Sequence, residues 1–394
     1  MDPRTNPFSP GAGTPPPELA GREPLLEAAS IAVDRLAGGL NSRGIVCYGL
    51  RGVGKTVLLQ QMRLNASADG YVTVQIEAPE DRSLPSILIP ALRATVIKNS
   101  TGAAAKAKFR ELLGILASFA KAVKVKYQDV EVALDVAPTE GIADSGDLAN
   151  DLAELLTRLG QIALEQSTVV AIYIDELQYV PEDELGALIG ALHRTSQAKL
   201  PVTLFAAGLP QLLGQLGKAK SYAERLFDFQ ELGSLDNEAA TDALVIPTRE
   251  RGVEFEHAAI EHILAETKGY PYFLQEWGQH AWQIAEQSPI TLDDARAATE
   301  SAIAQLDSSF FRVRFDRLTP QEKRYMRAMA ELGGGSHRSG DVAEVMQRKV
   351  QSLGPCRSSL IKKGMAYSPS HGDIAFTVPL FEGFMKRTMD LDVQ

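Results

Sequence analysis

The stretch Cys47 to Met62, CYGLRGVGKTVLLQQM, constrains this 394-residue chain more than any other. It holds Gly49-x4-Gly54-Lys55-Thr56, which matches G-x-x-x-x-G-K-[ST] in full, with an apolar run before it and an amphipathic run after it. Each position has a chemical reason. A phosphate group needs several converging backbone N–H donors, here those of Gly49 and of Gly52 through Val57, and glycines permit the positive φ and close approach that this requires. Lys55 adds a point charge, Thr56 offers a hydroxyl to Mg²⁺, and the helix that follows directs its positive end at the anion. The pattern therefore predicts a strand, a phosphate loop and a helix in immediate succession.

The surrounding chain extends the pattern. GIVCYGL is a continuously apolar strand, KTVLLQQMRLNAS is helical, and YVTVQIEA is a second strand, the start of an α/β unit with a parallel sheet. A long helix, GDLANDLAELLTRLGQIALEQ, leads into the buried strand VVAIYIDE. PVTLFAAGLPQL forms another strand after the helix DELGALIGALHRTSQ. The alternation runs to about residue 235 and predicts a doubly wound α/β core over 19–235. An insertion occupies about 91–146, within which KVKYQDVEVALDV alternates like an antiparallel excursion.

Before the core, residues 1–18 hold six prolines and two glycines and predict an extended, poorly ordered or wrapping segment. After it, 236–309 reads as a helical bundle. Residues 310–394 give three short helices followed by a two-stranded hairpin, the order of a winged helix. This last module carries fourteen Lys and Arg against nine Asp and Glu, a balance of +5 that leaves −15 on the rest of a chain whose net charge is −10. The acidic body argues against a protein that coats nucleic acid non-specifically.

No run approaches the roughly 18 apolar residues of a membrane span, and the N-terminus lacks the pattern of a signal peptide, so a cytoplasmic protein is expected. Cys47 and Cys356 stand far apart without metal or redox spacing and are read as reduced packing residues. The six histidines form no HxxxH or HExxH pair.

Asp175 and Glu176, at the end of the apolar strand VVAIYIDE, complement the loop about 120 residues upstream. Ligands of open α/β sheets bind at the carboxyl ends of the strands. There Asp175 is expected to hold Mg²⁺ through water, and Glu176 to orient or deprotonate an attacking water.

The pair resembles the Walker A and Walker B motifs of the AAA+ P-loop ATPases, and the neighbouring segments resemble the STAND-like and origin-recognition-like branch of that class. ELAGREPLLEAASIAVDRL is similar to the GRE box that packs on the nucleotide base, which implies base contacts for Gly21 and Arg22. LPVTLFAAGLPQL resembles the sensor-1 strand, with Thr203 as its only polar candidate. SYAERLFDFQEL resembles the segment that carries an arginine finger, which would make Arg225 reach a neighbouring copy; the alternative is an arginine paired with Glu224 or Asp228. KGYPYFLQ resembles the G-x-P element of the lid, placing Gly269 and Pro271 by the nucleotide, although no arginine occupies the usual sensor-2 place. LGPCRSSLIKKGM would be the third helix of the winged module, where Arg357, Ser358, Lys362 and Lys363 are candidates to meet duplex DNA.

The resemblance implies ATP or ADP and Mg²⁺ as ligands and a nucleotide-driven switch, with the nucleotide held between core and lid. Two other readings stay open: a DNA-binding initiator, regulator or transposition-helper ATPase, and a nucleotide-stabilised scaffold that hardly turns over. Partners implied are ATP, a second copy through Arg225, and duplex DNA or a protein at the winged module, with no membrane.

Overall fold

The computed structural model describes residues 1–11, 13–99, 103–124 and 136–391. The alternating segment KVKYQDVEVALDV therefore lies outside the described residues, apart from its first and last positions. The chain divides into two compact units, one of Arg22–Tyr48 and Lys55–Leu232, the other of Met1–Gly21, Gly49–Gly54 and Gly233–Gln394.

The first unit is the α/β core. Its elements are α1 (Glu23–Ala37), β1 (Gly44–Gly49), α2 (Lys55–Ala68), β2 (Val72–Glu77), α3 (Leu84–Lys98), α4 (Ala103–Lys124) and α5 (Leu148–Glu165). There follow β3 (Val170–Asp175), α6 (Glu182–Gln197), β4 (Val202–Gly208), α7 (Leu212–Ala219), α8 (Ala223–Leu226) and β5 (Phe227–Leu232). The strands form one sheet in the order β2-β3-β4-β1-β5, with parallel pairing of β2 to β3, β3 to β4 and β4 to β1. Residues 202–208 of β4 are buried without interruption and β3 is buried up to Asp175, as strands covered on both faces must be.

Register aligns the strand ends. Tyr48 of β1 stands beside Gly208 of β4, and Ile174 of β3 beside Ala206, so β1, β3 and β4 deliver their carboxyl ends to one edge. The fifth strand was not expected from the sequence. FDFQEL follows the arginine-bearing helix α8 directly, and as the edge strand β5 it buries its two ends, Phe227 and Leu232, and leaves Asp228 and Glu231 exposed.

Helix α5 illustrates how local chemistry fixes the core. Asp147 caps it by accepting the Asn150 N–H at 2.8 Å, and the fully buried Asp151 accepts from the N–H groups of Ser145 and Gly146 and from the Ser145 hydroxyl. A Cβ at Gly160 would lie 2.8 Å from the Leu200 side chain, so glycine lets α5 approach the entry to β4.

The second unit contains the helices α9 (Asn237–Arg249), α10 (His257–Thr267), α11 (Pro271–Ile284), α12 (Leu292–Ser308) and α13 (Phe310–Asp316). Its terminal module has α14 (Pro320–Leu332), β6 (His337–Arg338), α15 (Ser339–Val345), α16 (Val350–Lys362), β7 (Ala366–Tyr367), β8 (Asp373–Phe376) and α17 (Phe381–Thr388). The expected hairpin is β7–β8, and β6 adds a third antiparallel strand in the order β6-β8-β7. Phe311, Phe376, Phe381 and Phe384 form its aromatic core.

The proline-rich start wraps onto this unit. Phe8 is buried against Gly278 of α11, where an added Cβ would come within 2.8 Å of its ring. Asn6 donates to the Gln279 carbonyl at 3.1 Å, and Trp282 donates to the Asp2 carbonyl at 3.0 Å.

Glu322 anchors the terminal module. It closes a capping box with Thr319, is only 3% exposed, and accepts from Lys363 Nζ and Ser359 Oγ, each at 2.7 Å. Burial opposes its charge, but Lys363, Ser359 and Thr319 together hold its carboxyl down at about 2. A carboxylate with a depressed folded value stabilises the native state fully above its unfolded value. That stabilisation, about 3 kcal/mol at most, is lost as pH falls from about 4.5 towards about 2. Glu322→Gln is expected to flatten the acid limb of thermal stability over that interval, measured by thermal melts at successive pH values.

Candidate functional site

At the carboxyl edge of the sheet, four predicted residues come together in the α/β core. Lys55 opens α2 and is 7% exposed, an extreme value for a lysine. Asp175 ends β3, and the Thr56 hydroxyl donates a hydrogen bond to its carboxylate. Burial pushes the Asp175 carboxyl above the ordinary range, Glu176 adds to this, and Thr56, the Glu176 N–H and Lys55 oppose it. A hydroxyl and a carboxylate side by side at the start of a helix form the hard-oxygen pair that Mg²⁺ prefers, with water and phosphate completing its shell. The residues thus fit the ion, and among the described residues no cluster of three or more His, Cys, Asp or Glu offers another metal site.

Glu176 follows with φ 53 and ψ 36, a left-handed conformation that is costly for a residue with a Cβ. The Asp175 carboxylate accepts its N–H at 2.8 Å, and its own carboxylate accepts from Gln178 Nε2.

Gln178 was not singled out by sequence reasoning. It is 5% exposed, its Oε1 accepts the Leu209 N–H at 3.0 Å, and its carbonyl accepts from Gln215 Nε2 at 3.2 Å. The signal present in the sequence was a polar residue in the apolar stretch after the paired carboxylates.

Thr203 is not brought to this edge. It is buried beside Ala171, four residues before Asp175 in β3 register, which places about 13 Å of strand between it and the site. The sequence places its one polar side chain at the amino end of β4, so a sensor role requires a different residue there.

Arg22 and Cys47 are neighbours in the same unit. Burial draws the Arg22 guanidinium below its ordinary value, while burial pushes the Cys47 thiol up to about 12, so Cys47 is a neutral packing group. Arg225 is exposed on the one-turn helix α8.

In the second unit, the loop residues Gly49–Gly54 meet the segment before and within α11. Gly52 and Gly54 have φ +89 and +88, as a loop of converging amides demands, and Val53 is buried. The Tyr270 hydroxyl donates to the Arg51 carbonyl, and the Tyr272 N–H donates to the Gly52 carbonyl at 3.1 Å. A Cβ on Gly52 would lie 3.1 Å from both tyrosine side chains. Gly269, at φ +67, and Pro271, at the first position of α11, set up this turn, and Gly21, at φ +69, packs against Ala239 of α9.

The terminal module also reaches the loop. The Arg51 N–H donates to the Thr377 carbonyl at 3.3 Å, and the Arg51 guanidinium occupies the space that a Cβ on Gly364 would need. Arg314 stacks on Phe310 at 3.8 Å, and burial, followed by the Arg51 charge, draws it down to about 10. Sequence reasoning passed over Arg51, Arg314, Tyr270 and Tyr272, none of which stands at a fixed motif position: Arg51 and Tyr270 occupy variable places within the two motifs.

Of the candidate DNA contacts, two are engaged internally. Arg357 Nη2 donates to Ser368 Oγ at 2.8 Å and to the Asp373 carbonyl at 2.7 Å, tying α16 to the β7–β8 turn. Lys363 is ion-paired to Glu322. Ser358 and Lys362 are exposed.

Residues 18–205 match the family model described as AAA ATPase domain, and residues 308–385 match one described as Domain of unknown function (DUF8462). A search of the curated proteins returns no match. Among solved structures, the chain is similar to the Walker-type ATPase PABY2304 of Pyrococcus abyssi, with a TM-score of 0.60 at 15% identity over 96% of this chain and 99% of that one. It is also similar to the ORC2 protein of Aeropyrum pernix solved as ADPNP-ADP complexes, with a TM-score of 0.50 at 16% identity over 96% and 97%. At such identities the likeness is one of fold. The chain has the α/β fold of P-loop AAA+ ATPases, and residues 18–205 of it match the AAA ATPase domain model. No helix among the described residues is long and apolar enough to cross a membrane.

Proposed function

We propose that the chain is a Mg²⁺-dependent ATP hydrolase that works as a nucleotide-driven switch in the cytoplasm, on the STAND-like side of the AAA+ class. The observation that carries the switch is the double engagement of the phosphate loop's apex. The Arg51 carbonyl accepts from the Tyr270 hydroxyl and the Gly52 carbonyl from the Tyr272 N–H at the head of α11, while the Arg51 N–H donates to the Thr377 carbonyl of the terminal module. These contacts fix the backbone that carries the phosphate-facing N–H groups of Gly49 and of Gly52 through Val57, so a phosphate that draws those groups together acts on the same backbone. Phosphate binding and these contacts are then linked, and linkage acts equally in both directions. The neighbouring guanidinium groups of Arg51 and Arg314 repel one another, and an anion at the apex relieves that repulsion.

For the chemistry, Lys55 offsets phosphate charge, Thr56 and Asp175 would hold Mg²⁺, and Glu176 takes the proton of the water that attacks the terminal phosphorus while ADP leaves. When bound, the ion neutralises charge on the phosphate oxygens. Arg225, exposed on α8, remains the residue to reach a neighbouring copy. The DNA reading is not adopted, because Arg357 and Lys363 are committed to internal bonds and only Ser358 and Lys362 of its four residues stand free of them on the surface.

Hydrogen exchange measured without nucleotide, with ADP and with a slowly hydrolysed ATP analogue tests the switch. Protection of the segments 269–273 and 364–378 is expected to differ between the ADP and ATP-analogue states. Identical exchange in all three states would overturn the reading.

A further inference from the structure

We propose that Gln178 is a positioning residue for hydrolysis: it fixes the Glu176 carboxylate and ties it to the carboxyl end of β4. The inference rests on the reading of Glu176 as the group that takes the water's proton, and adds to it the device that aims that group.

The Leu209 N–H can only donate, so the oxygen of the Gln178 amide must face it, at 3.0 Å. The NH₂ end is thereby turned to Glu176 and donates to Oε2. One carboxylate oxygen is engaged, which leaves Oε1 for a water. A flexible glutamate on a strained, left-handed residue at the end of a strand is in this way reduced to one orientation.

The space around the amide is prepared for it. A Cβ at Gly208 would come within 2.6 Å of Gln178 Oε1, so the last residue of β4 has to lack a side chain for the glutamine to reach Leu209. Gln215 of α7 holds the Gln178 carbonyl from the other side. The short turn Leu177–Tyr179, closed by the Tyr179 N–H to the Glu176 carbonyl at 3.0 Å, keeps the two side chains together. The sequence resemblance assigned the link between β4 and the reacting phosphate to Thr203, which lies at the wrong end of the strand. Gln178 makes a link from the carboxyl end of β4 to the site by a different route.

Steady-state ATP turnover of the full-length protein, followed across pH 5.5 to 9, tests the proposal on Gln178→Glu, Gln178→Leu and the control Glu176→Gln, with thermal melts to check folding. Gln178→Glu keeps an oxygen for Leu209 but sets a second carboxyl group against Glu176, and repulsion between two such groups raises the pH at which the pair takes up a proton. Asp175, the other carboxylate in the field of Glu176, is the same in every variant. Gln178→Glu is expected to lower kcat about tenfold or more and to move the acid limb of the profile to higher pH by about one pH unit. KM for ATP should stay within about twofold, because no contact to the nucleotide is removed. Gln178→Leu is expected to lower kcat with no shift of the limb. A merely structural glutamine moves neither the limb nor the ratio of kcat to KM. If Glu176→Gln abolishes turnover while a folded Gln178→Glu variant keeps the wild-type profile, the positioning role is wrong and the reading of Glu176 stands. If Glu176→Gln itself turns over normally, both are wrong.

Discussion

Glu176→Gln is expected to slow ATP turnover by about a hundredfold or more and to leave nucleotide affinity within a few-fold of wild type. The replacement is isosteric, and the new amide oxygen can still accept from Gln178 Nε2, so the local structure has no reason to change. What is lost is the capacity to take a proton from water. The binding groups, Lys55 and the loop amides, are untouched. Phosphate release in single-turnover mode, set beside calorimetric titration of ATP, separates the two quantities. Undiminished release would remove Glu176 from the mechanism.

The second large effect concerns the turn that brings α11 to the phosphate loop. Gly269 has φ +67, and a Cβ there would stand 2.4 Å from the Leu235 carbonyl oxygen, whose residue in turn donates its N–H to the Gly269 carbonyl at 2.9 Å. Two backbones lie too close for any side chain between them. Gly269→Ala is expected to lose about 3 kcal/mol or more of stability, since left-handed strain of about 1 kcal/mol is joined by a collision with backbone that cannot yield. Gly252→Ala supplies the comparison. Its φ of +73 imposes the same strain, but nothing lies within 4 Å of the added Cβ. Thermal unfolding should therefore show a shift for Gly269→Ala several times that of Gly252→Ala, and equal shifts would mean that the close approach carries no cost. Because the chain has two compact units, the transition attributable to the second must be followed by limited proteolysis of that unit.

How far the sequence could be read depended on whether a contact is local. The geometry of the glycine loop and of the strand end at Asp175 was legible because it is local: Gly52 and Gly54 have the positive φ that glycine permits, and the apolar strand β3 ends at Asp175. The four helices after residue 236 were legible from the helical spacing of their apolar residues, although α11 is buried all round from Phe273 to Gly278. Thr203 was misplaced because polarity within a strand says nothing about which end of the sheet it occupies; register with Ala171 decides that. Gln178, Arg51 and Arg314 were illegible for a further reason. Their roles arise from partners far away in the chain, Leu209 for the first, Thr377 for the backbone of the second, and Arg51 itself for the third. The charge of the terminal module was counted correctly, yet a count cannot tell that Arg357 and Lys363 are consumed by the module's own Asp373 carbonyl and Glu322.

The placement of the indole rings has an experimental consequence. The chain has two tryptophans, and both, Trp277 and Trp282, lie on α11, the helix whose first residues touch Arg51 and Gly52. Trp277 donates to Thr299 at 2.8 Å within the helical bundle, and Trp282 to the Asp2 carbonyl of the N-terminal arm. Tryptophan fluorescence of the unlabelled protein, excited beyond the absorption band of its ten tyrosines, is thus a spectroscopic channel with both probes on one helix, and a stopped-flow trace after mixing with ATP gives the time course of that helix's surroundings.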